Sequence, residues 1–346
     1  MLKIKLFKPF ISKTAIKYAN QVLKSDQLAE GPMVKKFEAA FAKKYRLEPW
    51  QCVAVNSGSS ALELAYELAG VGKGDRVVTP VLTCTATNIP ILHRGAIPVF
   101  CDITDDYLAD LVDMGKRRTK NTKAFVIVDF GGASVMVESD LPVIRDAAQS
   151  VGPQFNPQGD FVCVSFQAIK TLTTGDGGML IVKTKENADK ARRLRWFGYD
   201  REEKQRLGDT DLTMAGYKYQ MNDISAAIGL GNLEGLDVVV KKRKVVGDVY
   251  KKSGLPIRVY PWLAILTYYN ALVLKEWLAT KGIETGQHHY RNDKYTIFGN
   301  RRKDLPNMDR LENQYLLLPY HHGMSKHDAK YVVACINEFV YSSDCP

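Results

Sequence analysis

The sequence predicts an α/β protein in which a mostly parallel sheet is covered on both faces by helices and is followed by a smaller α+β unit. Between residues 52 and about 180, short apolar runs at 52–55, 77–79, 98–101, 124–128, 143–145 and 161–166 alternate with helix-length segments such as 59–69 and 86–92. That alternation is the pattern of strands buried on both faces. Further on, 179–182 reads as a strand, 185–197 and 223–236 as helices separated by a polar loop, and the remainder mixes short strands with helices at 275–281 and 327–339. A chain of 346 residues, 45% of them apolar, is long enough for more than one core. We expect a large unit over 1–240 and a small one over 241–346.

Ahead of the alternation, 14–46 reads as two amphipathic helices parted by Ala29, Glu30, Gly31 and Pro32, with Phe37, Ala40, Phe41 and Tyr45 at helical spacing in the second. One connection breaks the rule. Only about ten residues lie between the strand ending near Asp129 and the one beginning near Leu141, short of the dozen or more a parallel crossover usually takes. A crossover helix is expected to be missing there.

The opening residues mix Lys with single apolar residues and lack the apolar stretch of a signal peptide. The longest apolar runs are strand-length, so no membrane span is expected. Six cysteines (Cys52, Cys84, Cys101, Cys163, Cys335, Cys345) show no CxxC pairing and sit mostly in apolar surroundings, which fits a reducing cytoplasm. The net charge of +10 is compatible with an anionic partner or with a solvated helix face around Lys241, Lys242, Arg243 and Lys244. No motif that reads nucleic acid is present. The paired histidines lack the carboxylate-histidine spacing of a metal site, so no metal is expected.

Three segments carry chemistry. Asn56-Ser57-Gly58-Ser59-Ser60-Ala61-Leu62 turns from a strand into a helix, and a helix N-terminus offers free amides and a dipole to a phosphate; taken alone it also reads as an ordinary Ser cap. Arg145-Asp146-Ala147-Ala148-Gln149 places a carboxylate at the end of a strand, where α/β sheets bind ligands and where it could keep a heterocyclic nitrogen protonated. Ser165 and, five residues on, Lys170 precede the glycine-rich turn Gly175-Asp176-Gly177-Gly178. A lysine amine becomes a nucleophile where its surroundings favour the neutral form.

In this order the three segments resemble the DegT/DnrJ/EryC1/StrS family of sugar aminotransferases. The likeness also takes in Lys8-Pro9-Phe10, Gly31 to Val34, Gly72 to Asp75, Gly95 to Phe100, Leu194 to Gly198 and Asp223 to Ile228. It implies the aspartate-aminotransferase-like fold (pyridoxal-phosphate fold type I), with a three-layer αβα large domain, and pyridoxal 5'-phosphate (PLP) as cofactor. Lys170 would be the Schiff-base lysine and Asp146 the partner of the pyridine nitrogen, with Gln149 against the ring and Ser59, Ser60 and Ser165 on the phosphate. The family's homodimers share active sites through a Gly-x-Asn-x-Arg stretch, here Gly216-Tyr217-Lys218-Tyr219-Gln220. Lys218 would therefore meet the partner's cofactor phosphate, and Gln220 replaces the arginine. Cys84 stands where an aromatic residue commonly stacks on the ring. His289, Tyr290 and His321 fall in segments that lie near the substrate mouth.

The resemblance implies a two-half transamination, from glutamate to a keto sugar carried on a nucleoside diphosphate, with a lean to C4 of a 4-keto-6-deoxy sugar. Lysine at 170 favours this over the family's dehydratases, which carry His there. Cys84, Lys218 and Gln220 leave open a second reading, a non-catalytic or regulatory member that binds PLP without turnover.

Overall fold

Residues 3–341 are described by the computed structural model of the chain; Cys345 lies outside them. The N-terminal helices are α1 (Lys13–Leu23) and α2 (Pro32–Lys44). The alternating region gives β1 (Cys52–Val55), α3 (Gly58–Leu68), β2 (Arg76–Pro80), β3 (Leu82–Thr83), α4 (Thr85–His93), β4 (Ile97–Cys101), α5 (Leu111–Lys116), β5 (Thr122–Val128), β6 (Val143–Asp146), β7 (Phe161–Ser165) and β8 (Gly178–Val182). Then come α6 (Lys185–Leu194), α7 (Arg201–Leu207), α8 (Asp223–Glu234), α9 (Leu236–Lys251), β9 (Ile257–Val259), β10 (Ala264–Thr267), α10 (Ala271–Thr280), β11 (Tyr290–Arg291), α11 (Pro306–Leu311), β12 (Tyr315–Leu318) and α12 (Lys326–Tyr341).

The large sheet has the order β1-β8-β7-β6-β5-β2-β4. Its strands run parallel except β8, which is antiparallel to both neighbours. One face buries Val53, Val55, Val126 and Ile144 under α3 and α6, and the other buries Ala54, Val162 and Val164 under Phe37, Phe41 and Leu233 of α2 and α8. This three-layer arrangement follows from near-continuous apolar strands that must be covered on both sides. The small unit packs α9, α10 and α12 against the antiparallel sheet β12-β10-β9. Pairing of β11 with β3 stitches the two units together beside the strand ends of the large sheet.

Several boundaries depart from expectation. The polar loop contains α7, capped by Asp200, which accepts from Glu202 N and Glu203 N. The helix expected over 185–197 stops at Leu194, because Phe197 and Gly198 take positive φ and the backbone at Met214 leaves no room for a Cβ at Gly198. Gly235 parts α8 from α9. Residue 240 lies inside α9, whose first turn joins the large core through Leu236 while Val246 and Tyr250 join the small one. Of the basic run expected on a solvated face, Lys241, Lys242 and Lys244 are exposed, but Arg243 is buried.

The crossover from β5 to β6 is made without an α-helix. After a 3-10 turn at Phe130–Gly132, where Gly131 and Gly132 both have positive φ, the chain runs extended. Val135, Val137 and Leu141 cover Val78, Phe125 and Ile127, the patch a crossover helix would shield. Arg145 holds this segment down. Its Nη1 donates to Asp129 Oδ1 (2.8 Å) and to Ser134 Oγ, its Nη2 to the Val135 carbonyl (3.0 Å) and its Nε to the Gln158 carbonyl (2.9 Å). Asp129 is completed by Ser150, whose hydroxyl donates to Oδ2 (2.8 Å).

Arg145→Met would strand the Asp129 carboxylate in the interior. We predict a loss of about 3–5 kcal/mol of unfolding free energy, read from urea unfolding, with part recovered in the Arg145→Met/Asp129→Asn double variant.

Candidate active site

The C-terminal ends of β1, β6 and β7 lie at one edge of the sheet, the place where parallel α/β sheets bind ligands. At the end of β1 the chain turns into α3, with Ser57 as cap accepting from Ser60 N (3.0 Å). Space here is tight. A Cβ on Gly58 would stand 2.8 Å from Ser165 Cβ, and one on Gly178 would stand 2.4 Å from the Ser57 carbonyl oxygen. The α3 N-terminus is thus pressed against Ser165 at the end of β7. Ser59 is exposed on this turn, whereas the buried Ser60 hydroxyl donates to Asn56 Oδ1 (2.6 Å). Ser165 Oγ accepts from Gln167 N (3.3 Å).

Asp146 ends β6 and is buried. Thr87 Oγ1 donates to its Oδ2 (2.7 Å) and Ala148 N to its Oδ1 (3.1 Å), and the Thr83 and Thr87 hydroxyls lie 2.7 Å apart. Burial raises the carboxyl pKa, opposed by Thr87, Ala148 and the charge of Lys170. No arginine is paired with it among the described residues.

Lys170 lies on the loop between β7 and β8, partly open to solvent, with Nζ 4.2 Å from the centre of the Trp262 ring. Burial pulls its amine down to about 8 against the opposing influence of Asp146 and Cys84, so a useful fraction is neutral at mild pH. Cys84, at the N-cap of α4, is half-buried and its thiol pKa is raised, chiefly by burial.

Gln149 and His289 meet across the boundary between the units. Gln149 Oε1 accepts from Gly131 N (2.7 Å), which turns its amide nitrogen to His289 Nε2 (2.8 Å). The imidazole therefore accepts at Nε2 and carries its proton on Nδ1, in line with burial driving its pKa well below the ordinary value. Tyr290 is exposed, with Lys294 Nζ 4.0 Å from its ring centre. Both nitrogens of His321 are taken by backbone: Nε2 donates to the Lys5 carbonyl (2.9 Å) and Nδ1 accepts from Gly323 N (3.1 Å). That ring fastens the N-terminal segment beside the cleft lined by Lys170.

Lys218 stands apart from the other candidates. It is exposed, its Nζ lies 5.5 Å from the Phe197 ring centre, and its carbonyl accepts from Asn56 Nδ2 (3.2 Å). Neighbouring Gln220 has a buried Oε1 with no hydrogen-bond partner among the described residues. Thr83 and Thr87, buried behind Asp146, and Trp262 and Arg243, beside Lys170, also belong to the site and were not singled out from the sequence as site residues. Only the spacing of Thr83 and Thr87 across the start of α4 was a usable signal; the other two arrive from the distant small unit.

The arrangement fits PLP. The α3 N-terminus with Ser59 and Ser165 offers a phosphate end, the buried Asp146 lacks a cationic side chain bonded to it and suits a protonated ring nitrogen, and Lys170 supplies an amine. Gln149, fixed by Gly131 and His289, would lie beside the ring.

Comparison with known proteins agrees. The model of the DegT/DnrJ/EryC1/StrS aminotransferase family matches residues 9–256. The spore coat polysaccharide biosynthesis protein SpsC of Bacillus subtilis is 32% identical, over 97% of both chains. That alignment runs over 378 positions, more than the 346 residues of this chain, so the relative carries segments absent here. The UDP-4-amino-4,6-dideoxy-N-acetyl-beta-L-altrosamine transaminase of Campylobacter jejuni is 30% identical, over 93% of both chains. A sugar aminotransferase of Micromonospora echinospora, known from its crystal structure, superposes with a TM-score of 0.90 at 28% identity, covering 97% of this chain and 99% of its own.

The amine of Lys170 is charged below its pKa and neutral above it. In the cofactor-free protein, the rate of PLP uptake should therefore rise with pH through a midpoint of about 8 and then level off. Stopped-flow absorbance checks this, and a midpoint near the ordinary 10.5 would contradict the environment described for Lys170.

Proposed function

We infer, since the chain belongs to the DegT/DnrJ/EryC1/StrS aminotransferase family, that it moves an amino group from glutamate to a keto sugar carried on a nucleoside diphosphate. The observation that carries this reading is the pairing, at one edge of the sheet, of the buried Asp146 with a Lys170 amine lowered to about 8 that lies against the Trp262 ring. The family's enzymes are PLP-dependent, and the bound PLP ring supplies an electron sink for bond cleavage at the donor's α-carbon. Asp146 holds a proton on the ring nitrogen. Lys170 Nζ, neutral when freed, would carry the proton from the donor's α-carbon to C4' of the cofactor in the first half-reaction, and from C4' to the sugar carbon in the second, as general base and then acid each time. The Trp262 ring against which this amine lies is itself stacked on Phe7 and edge-on to His288.

Amination at C4 of a 4-keto-6-deoxy sugar is part of the reading, supported by the 4-amino-4,6-dideoxy sugar in the name of the Campylobacter relative. So is a homodimer in the cytoplasm. Phe197, Leu207 and Leu212 are exposed on the segment leading to Lys218, a surface suited to a second copy, which would bring Lys218 to the partner's phosphate site as a point charge. The five described cysteines are all free, in keeping with a reducing compartment.

The test is the visible absorbance of the PLP-loaded protein with Lys170→Ala as control, followed by a screen of keto sugar nucleotides. We predict a visible band that requires Lys170, is lost on adding glutamate and returns on adding a 4-keto sugar nucleotide. A band indifferent to glutamate would favour cofactor binding without turnover, and turnover of 3-keto sugars alone would overturn the C4 assignment.

A further inference from the structure

Four arginines are buried among the described residues: Arg145, Arg195, Arg243 and Arg291. Three have carboxylate partners, namely Asp129 for Arg145, Glu30 and Glu38 for Arg195, and Asp293 for Arg291. Arg243, on α9, has none. Its Nη1 donates to Thr171 Oγ1 (3.2 Å), its Nη2 donates to the Trp262 carbonyl, and its guanidinium carbon lies 4.5 Å from the Tyr320 ring centre. Its Nε is buried with no hydrogen-bond partner among the described residues. A guanidinium carries five N–H bonds, so these neutral contacts leave donors unused and the charge unbalanced. An uncompensated buried charge is costly, and burial pulls the pKa of this group down.

The position of this cation gives it a use. Thr171 follows Lys170 in the chain, and the Trp262 whose carbonyl it bonds is the one whose ring lies against Lys170 Nζ. Arg243 and Lys170 line one narrow cleft with Lys8, Trp262, His321 and His322, and no acidic residue lines it. His322 is held down at about 4, by burial first and then by the neighbouring positive groups, so it is neutral at physiological pH. The fixed charges of the cleft are therefore all positive.

We propose that Arg243 is the binding residue for a carboxylate of the amino donor, and of the 2-oxo acid that leaves in its place. This rests on the aminotransferase reading above. A planar guanidinium with unused donors matches a carboxylate in a forked, charge-assisted pair. The donor's α-carbon must come to Lys170 Nζ, which places its carboxylates within this cleft. The diphosphate of the acceptor is not assigned to this cleft.

The experiment uses the full-length, PLP-loaded protein and glutarate, a dicarboxylate without an amine, titrated by calorimetry alongside UDP and dTDP. The wild type should bind glutarate. Arg243→Gln should weaken that binding by about 30-fold or more, Arg243→Lys by less, and neither should alter nucleoside diphosphate binding. Because the glutamine variant removes an unbalanced buried charge, its Tm should hold or rise. A structural arginine would behave oppositely, with a lower Tm and unchanged glutarate affinity, and that result overturns the proposal. So does loss of UDP or dTDP binding in place of glutarate binding, or failure of the wild type to bind glutarate. If Arg243→Gln does not fold, Arg243→Lys carries the same comparison. Should the wild type bind glutarate through Arg243 while glutamate fails to convert the cofactor, the carboxylate site stands and the choice of donor falls.

Discussion

Asp146 and Lys170 are brought toward each other at the edge of the sheet, and each is the principal opposite charge acting on the other. Burial works against both ionised forms, raising the acid and lowering the amine. Neither group is given a permanent ionic partner among the described residues. Thr87 and the Ala148 amide give Asp146 hydrogen bonds without a positive charge, and Trp262 gives Lys170 only the face of a ring. The pair is thereby left with unspent capacity, one to hold a cationic ring nitrogen and the other to act as a nucleophile and proton carrier. Most of the surrounding architecture serves to place these two groups.

The loss of the crossover helix could have loosened that placement, because Asp146 sits at the end of the strand the crossover delivers. Arg145, the preceding residue, meets the problem by gathering the extended segment to β6 through Asp129, Ser134, Val135 and Gln158. Val135, Val137 and Leu141 supply the apolar cover. An ion pair and a few side chains thus replace a helix, and the alternation of side chains along β6 keeps Arg145 and Asp146 on separate tasks.

Much of this was legible in the sequence because the signals are local. Apolar runs of strand length gave the large sheet to within a residue or two, and the short spacing before Leu141 foretold the missing helix. Asp146, Ser165 and Lys170 stood out as candidates because they sit at fixed offsets from strand ends, and Gln149 through the family resemblance alone. Contacts made across the chain were not. Arg243 lies within Lys241-Lys242-Arg243-Lys244 and looks like a solvated charge, since nothing local reveals Thr171 and Trp262 as its neighbours. The second bond of Thr87, to Asp146, and the backing of Gln149 by His289 likewise depend on the packing of remote segments. The short helix α7 was hidden by its polar sequence, because an exposed helix with no buried residue has no apolar period to read.

The most direct test of the central claim is chemical. Borohydride reduction of the PLP-loaded protein, followed by digestion and mass spectrometry, should place the phosphopyridoxyl group on the peptide containing Lys170 and on no other lysine. Its appearance on a different lysine, or in equal yield in Lys170→Ala, would contradict the assignment of Lys170 as the residue that holds the cofactor.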